Sequence, residues 1–169
     1  MIVRYLAATA LACSGFLAGA FSYGSLVVRP AYWSSPDAVH NAYRAQFIPH
    51  NSPVMPTAQI LGVALALLLA VVTRDMIGRV LSVGAAVATL ACIVVTKFGN
   101  VPINNKIRSW NPNNPPADYL TMLHRWDTYH DIRTASVVLA FMLVIAATVR
   151  MIGAPARQPS SAPKTVVAV

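Results

Sequence analysis

Four long apolar runs constrain this chain more than any other feature of its sequence. They cover approximately residues 5–28, 54–73, 78–98 and 134–151. Each has roughly 18 to 24 residues, enough for a helix to cross a hydrocarbon core of about 30 Å. Lipid offers no partner for exposed backbone groups, and the runs lack the alternation of barrel strands. The runs therefore predict an all-α integral membrane protein built as a bundle of four transmembrane helices.

The composition supports the same conclusion. Hydrophobic residues make up 56% of the 169 residues and charged residues 11%, against roughly 25% charged residues in typical soluble domains. A soluble core of this size cannot bury so much apolar surface, so lipid must cover part of it. We expect one membrane domain over residues 1–153 and a disordered, proline-containing tail over residues 154–169.

The net charge of +8 arises from 13 Lys and Arg against 5 Asp. The basic residues flank the apolar runs without forming a stripe interleaved with aromatics, which predicts contacts with membrane lipids and none with nucleic acid. They are densest beside the 74–79 turn and the two ends, so we expect a plasma (inner) membrane protein with both termini cytoplasmic. The first run has an alternative interpretation as a cleaved signal peptide, although its length favours a retained helix. A homo-oligomer remains open.

Two longer segments, residues 29–53 and 99–133, contain all four histidines and all three tryptophans. We expect both to be structured extracytoplasmic loops. An interfacial aromatic belt explains the tryptophans but not the histidines. The fourth helix is expected to begin near Pro116 and to reach Met151. It would then be longer than the membrane core is thick, so its first turns would stand at or above the interface.

That overhanging part of the fourth helix carries the most informative pattern. One helix face is formed by residues at a 4-3-4-3 spacing, namely Tyr119, Leu123, Trp126, His130 and Arg133. His130 is a suitable base near neutral pH. Asp127 lies one turn earlier and can orient it, and Arg133 can stabilise a developing anion. The alternative interpretation is an ordinary interfacial ion network that only fixes the helix.

A metal site is a further alternative. His50, His124 and His130 are the candidate ligands, but the chain has no HxxxH or HExxH motif. It also has no Glu, which excludes the Glu-x-x-His pair of di-iron bundles. We therefore predict no cofactor, while a metal or haem held by histidines of different segments stays open.

The stretch Asn100-Val101-Pro102-Ile103-Asn104 follows Gly99, which is well placed to end the third helix. Together with Arg125-Trp126, His130 and Arg133 it resembles the anthrone oxygenase-like family of membrane proteins. This resemblance implies oxidation of a polyketide anthrone to an anthraquinone with molecular oxygen. It also implies that the site is lined by Asn100, Asn104, Trp126, His130 and Arg133; Tyr119 is a further candidate for substrate contact.

Two hypotheses from different classes follow. The leading one is a membrane oxygenase that oxidises an apolar aromatic, anthrone-like small molecule with O2 and uses His130 as the base. The alternative is a non-catalytic membrane module that binds a lipid, a quinone or a partner protein, with Trp126 and Arg133 as anchors. A transporter ranks below both, because four helices leave little room for a pathway and no pair of broken helices is evident.

Overall fold

The structure of the protein, a computed structural model, describes residues 2–153; the predicted disordered tail over residues 154–169 lies outside the described residues. All regular elements within residues 2–153 are helices. Four continuous helical stretches are long and apolar enough to cross a membrane, namely Val3–Trp33, Val54–Val72, Met76–Ser109 and Tyr119–Ile152. The predicted all-α architecture with four transmembrane helices is thereby confirmed.

In chain order, the α-helices are α1 (Ile2–Tyr23), α2 (Arg29–Trp33), α3 (Asp37–Asn51), α4 (Val54–Val72), α5 (Met76–Val95), α6 (Val101–Ser109) and α7 (Tyr119–Gly153). Five-residue π-helical segments, Gly24–Val28 and Thr96–Asn100, join α1 to α2 and α5 to α6. Each pair is therefore one continuous rod with a widened turn inside it. Helix α3 accounts for most of the first predicted loop.

The structure moves several predicted helix ends. The first helical rod continues past residue 28 to Trp33, and the fourth helix begins at Tyr119 instead of Pro116. The expectation that Gly99 ends the third helix was wrong, because helical structure continues to Ser109. Both rods continue because a π turn precedes the proline in each of them. The Arg29 and Val101 N–H groups reach back five residues, to the Gly24 and Thr96 carbonyls, and the wider turn accommodates the proline ring that follows.

The four rods pack as a ring in which α1 contacts α4 and α7, and α5 contacts α4 and α7. Small side chains form much of the buried core, among them Ala7, Ala10, Ala66, Ala85 and Ala140. Small residues let membrane helices approach closely, where lipid removes the hydrophobic drive for association. At one end, Arg150 on α7 donates to Asp75 in the α4–α5 turn, with Nε 2.9 Å from Oδ2. We call this the turn end.

At the opposite end, here called the α3 end, the rods extend beyond the ring, one of them through α6, and hold α3. Ile48 of α3, Ile103 and Ile107 of α6, and Leu123 of α7 are all buried in one cluster. This cluster fixes α3 as a cover over the end of the bundle. The space beneath the cover is the candidate site.

Candidate functional site

A cavity of about 310 Å³ lies at the α3 end, between the helical rods and α3. This is near the lower limit of roughly 300 Å³ for ligand pockets. Its wall is largely apolar, with Phe21, Ile48, Met55, Val101 and Ile107 among the lining residues. Polar side chains are placed within that wall, among them Arg29, Tyr32, Arg44, Asn51, Ser52, Gln59, Thr96, Asn104, His130 and Arg133. An apolar wall with few polar groups is typical of a small-molecule site.

His130 and Arg133 form the polar end of this cavity. Each is only 7% exposed, and Nη2 of Arg133 lies 3.0 Å from Nδ1 of His130. A guanidinium can only donate, so Nδ1 must accept. The imidazole in this arrangement is therefore neutral and carries its hydrogen on Nε2.

Arg133 is a buried cation with little compensation. Its Nη1 lies 3.4 Å from the Thr96 hydroxyl, and its Nε has no hydrogen-bond partner. No carboxylate within residues 3–152 forms an ion pair with it. Its guanidinium carbon lies 5.2 Å from the ring centre of Phe21 and 5.4 Å from that of Trp126. Aromatic faces offset only part of the desolvation of a cation, so this end of the cavity favours an anionic or strongly accepting oxygen.

Aromatic stacking holds His130 in place. The centre of its ring lies 5.2 Å from that of Trp126 and 5.7 Å from that of Phe21, and both pairs are stacked. Trp126 is held in turn, because its Nε1 donates to Oδ1 of Asn104 at 2.6 Å. Nδ2 of Asn100 donates to the Trp126 carbonyl at 3.1 Å. The two asparagines of the N-x-P-x-N stretch therefore position the tryptophan against which His130 packs.

A glycine makes room for the imidazole. A Cβ atom added to Gly24 would lie 2.9 Å from Nε2 of His130, which is closer than such atoms pack. Gly24 is the first residue of the π segment Gly24–Val28. The rod that starts as α1 thus brings its backbone against the protonated nitrogen of His130, where a larger residue would displace the ring.

A second polar cluster lies beside the cavity, around Asp127. Oδ1 of Asp127 accepts from Nη2 of Arg44 at 2.9 Å, and Oδ2 accepts from Nε1 of Trp33 at 2.7 Å. Nε of Arg44 also donates to Nε2 of His40 at 2.7 Å. Burial, followed by the charge of Arg44, lowers the pKa of His40 to about 4. This cluster ties α2, α3 and α7 together with satisfied hydrogen bonds.

The structure brings four predicted site residues to the cavity wall and places three elsewhere. Asn104, Trp126, His130 and Arg133 line the cavity. Asn100 is buried behind Trp126, and Asp127 pairs with Arg44 on α3 instead of orienting His130. The hydroxyl of Tyr119 donates to Oδ2 of Asp37 at 2.7 Å, near the start of α3.

The lining residues that sequence reasoning missed include Phe21, Arg44, Gln59 and Thr96, which come from other segments. One of them carried a usable signal. Gln59 is a polar residue within the second apolar run, and such residues rarely face lipid. Its side chain is 1% exposed and its Nε2 lies 3.1 Å from Sγ of Cys92.

The three candidate metal ligands lie in different surroundings. Nδ1 of the exposed His50 bonds to the Gln46 carbonyl, and His124 stacks on Trp33 at 4.6 Å. His130 alone faces the cavity. Among the residues that the structure describes, no group of three or more His, Cys, Asp or Glu side chains is arranged to hold a metal ion.

Fold and site together define a class: a small integral membrane protein with four spanning helices and an apolar cavity that ends in a His–Arg pair. A family model described as anthrone oxygenase matches residues 46–143. The match covers more than half of the chain, so the chain belongs to the anthrone oxygenase family. Comparison with curated proteins and with solved structures gave no significant match.

Proposed function

We propose that this protein is a membrane-embedded oxygenase that oxidises an apolar, anthrone-like carbon acid with O2. One observation carries the proposal: Arg133 is a buried cation without a carboxylate partner among the described residues, and it lies beside a neutral imidazole in an apolar cavity. Such an environment favours an oxygen that becomes negative during reaction. An anthrone has this property, because loss of a ring C–H proton places charge on its carbonyl oxygen.

The reaction balances without further reagents. The substrate methylene loses one proton to give an enolate, and the enolate gives electrons to O2. A carbon–oxygen bond forms at that carbon and the O–O bond breaks. The products are a new carbonyl and one water molecule, so the CH2 group and O2 become C=O and H2O. This scheme needs no bound cofactor, because the enolate is itself the electron donor.

Nδ1 of His130 is the atom that would take the proton. In the structure it accepts from Arg133, so it becomes available when the guanidinium turns to another acceptor. A substrate oxygen that gains negative charge is a stronger acceptor than a neutral imidazole nitrogen, since charge-assisted hydrogen bonds are the stronger class. The same shift would stabilise the enolate and release the base.

The test is oxygen uptake by the detergent-purified protein with an anthrone, corrected for the protein-free rate. We expect His130→Gln to lower turnover on the order of 10²- to 10⁴-fold and Arg133→Gln on the order of 10²- to 10³-fold. His50→Gln and Arg108→Gln are matched controls on exposed residues of the α3 end. Unchanged turnover in both cavity variants would contradict the proposal.

A second candidate is a module that binds a quinone without chemistry. The Nε2–H tautomer of His130 favours it, because this tautomer is suited to donating a hydrogen bond to a quinone carbonyl. A quinone that quenches the part of the tryptophan emission lost in Trp126→Phe, in a protein that consumes no oxygen with any anthrone, would support this candidate over the oxygenase.

A further inference from the structure

Helix α3 carries an apolar stripe that nothing in the described chain covers. Val39, Tyr43 and Phe47 are spaced four residues apart, lie on one face, and are 54%, 57% and 45% exposed. The neighbouring face of the same helix is buried through His40, Asn41, Arg44 and Ile48. The buried contacts of that face fix the orientation of the stripe, which is left exposed beside them.

Phe47 also belongs to the mouth of the cavity. Five exposed residues line the cavity, namely Tyr23 of α1, Phe47 of α3, Ser52 after it, Pro56 of α4 and Val101 of α6. The cavity is thus open to the side, at the corner where α3 leads into α4. A mouth in this position faces whatever surrounds the spanning helices.

We infer that the α3 stripe lies in the lipid headgroup–acyl boundary and that apolar ligands enter the cavity from the bilayer, past Tyr23 and Phe47. The stripe leads towards the surface of the spanning helices, because Phe47 and Tyr23 line the same cavity and the exposed Val54 begins the spanning helix α4. Phe47 lies only seven residues, about two helical turns, before Val54. An amphipathic helix at this depth places its apolar face in the interface.

A second copy of the chain is a poorer occupant of the stripe. Only three large apolar side chains form it, and the exposed polar residues Gln46 and His50 interrupt it. A stable protein interface buries roughly 800 Å² on each partner, which such a narrow stripe does not offer.

The lipid contact is tested with fluorophores on single cysteines, in a background with Cys13→Ala and Cys92→Ser, reconstituted in phospholipid vesicles. We expect labels on Tyr43→Cys and Phe47→Cys to be quenched by brominated lipids and protected from aqueous iodide. Asn113→Cys, in the exposed turn before α7, should show the reverse. Iodide quenching at both stripe positions, or quenching that depends on the protein-to-lipid ratio as in a dimer, overturns the inference.

Entry from the bilayer is tested with anthracene dissolved in the same vesicles, by following the rate at which it quenches the part of the tryptophan emission that is lost in Trp126→Phe. Phe47→Asp should slow this phase on the order of fivefold, whereas Phe47→Leu should not. Val39→Asp is the control, because it lies on the same stripe but does not line the cavity. Equal rates in Phe47→Asp and in the unmodified protein overturn the entry route.

This inference uses the cavity of the proposed function, and the two can fail separately. Anthracene has no oxygen, so its entry does not require Arg133 or His130. If anthracene enters past Phe47 while no anthrone consumes oxygen, the proposed function fails and the entry route stands. If anthrones are oxidised but both labels are in water, the lipid contact of α3 fails and the proposed function stands.

Discussion

Two buried arginines line the same cavity and differ in what neutralises them. Arg44 pairs with Asp127 and bonds to His40, so its charge is compensated within the protein. Arg133 has His130, a hydroxyl and two aromatic faces as its neighbours. Removing the carboxylate of a buried ion pair leaves a charge that nothing offsets. Mutation of the carboxylate that pairs with Arg44 should therefore destabilise the fold, whereas Arg133 has no such partner among the described residues.

Asp127 and Asp131 lie one turn apart on α7 and provide a matched pair of tests. Asp127→Asn should cost about 3–5 kcal/mol of unfolding free energy, because it leaves Arg44 buried and unpaired. Asp131 is 53% exposed where it pairs with Arg29, so Asp131→Asn should cost at most about 1 kcal/mol. Thermal unfolding in detergent micelles measures both. Similar losses in the two variants would show that the Arg44–Asp127 pair is not effectively buried.

His40 predicts a pH dependence of stability. Its pKa is lowered from 6.5 to about 4 in the folded protein, by burial and by Arg44, with Asp127 and Asp37 acting in the opposite direction. Between these two values the unfolded chain binds more protons, so stability is lost as the pH falls from 6.5 towards 4. His40→Gln keeps an acceptor for Arg44 and does not titrate. Its unfolding temperature should therefore fall less over this range, and an identical slope in both proteins would contradict the assignment.

At the scale of the elements, the two π segments bring the α1–α2 rod and the α5–α6 rod to the site. Each carries a glycine that approaches α7 closely: Gly24 at His130, and Gly99 at Tyr129, where an added Cβ would lie 2.7 Å from the ring. Both segments precede a proline that the wider turn accommodates. Local π turns inside helices are frequent at functional sites, and here they bring backbone close to the aromatic and imidazole rings of α7.

Two glycines of the first rod test this arrangement. Gly24→Ala should displace the His130 ring and lower oxygen uptake on the order of 10- to 100-fold. Nothing lies within 4 Å of a Cβ added to Gly19, so Gly19→Ala should keep activity and stabilise the helix by about 0.5–1 kcal/mol. The measurements are oxygen uptake and thermal unfolding. Full activity in Gly24→Ala would mean that the ring is not held against the rod.

At the scale of the whole molecule, the site and the ion pair that closes the bundle lie at opposite ends. The turn end is closed by Asp75, which accepts from Arg150 and from the Gly78 N–H. These contacts lower the pKa of Asp75, with the Arg150 hydrogen bond as the larger cause. Because four rods cross between the ends, Ile2 and Gly153 both lie at the turn end. We propose that this end is cytoplasmic, as the density of basic residues predicts.

The orientation is tested by labelling intact cells with a membrane-impermeant maleimide, in the background lacking Cys13 and Cys92. Asn113→Cys at the α3 end should react without permeabilisation. Arg74→Cys at the turn end should react only after the membrane is opened. The reverse pattern would place the cavity mouth on the cytoplasmic side and contradict the proposed orientation.

By itself the sequence determined the number of spanning helices, the helical face that carries Trp126, His130 and Arg133, and the family resemblance. These are local properties, because a hydrophobic run and a helical repeat depend only on neighbouring residues. Spacing alone also suggested that Asp127 orients His130. It cannot show which side chain from a distant segment competes for that carboxylate.

Only the tertiary structure decided those partners. The packing of α3 over the bundle brings Arg44 to Asp127, and the π turns bring Gly24 and Thr96 to His130 and Arg133. Gln59 is a single polar residue in an apolar run, and it lines the cavity because α4 packs with that face towards the bundle. Such contacts depend on which faces of separate helices meet, and the packing of the whole bundle sets that choice.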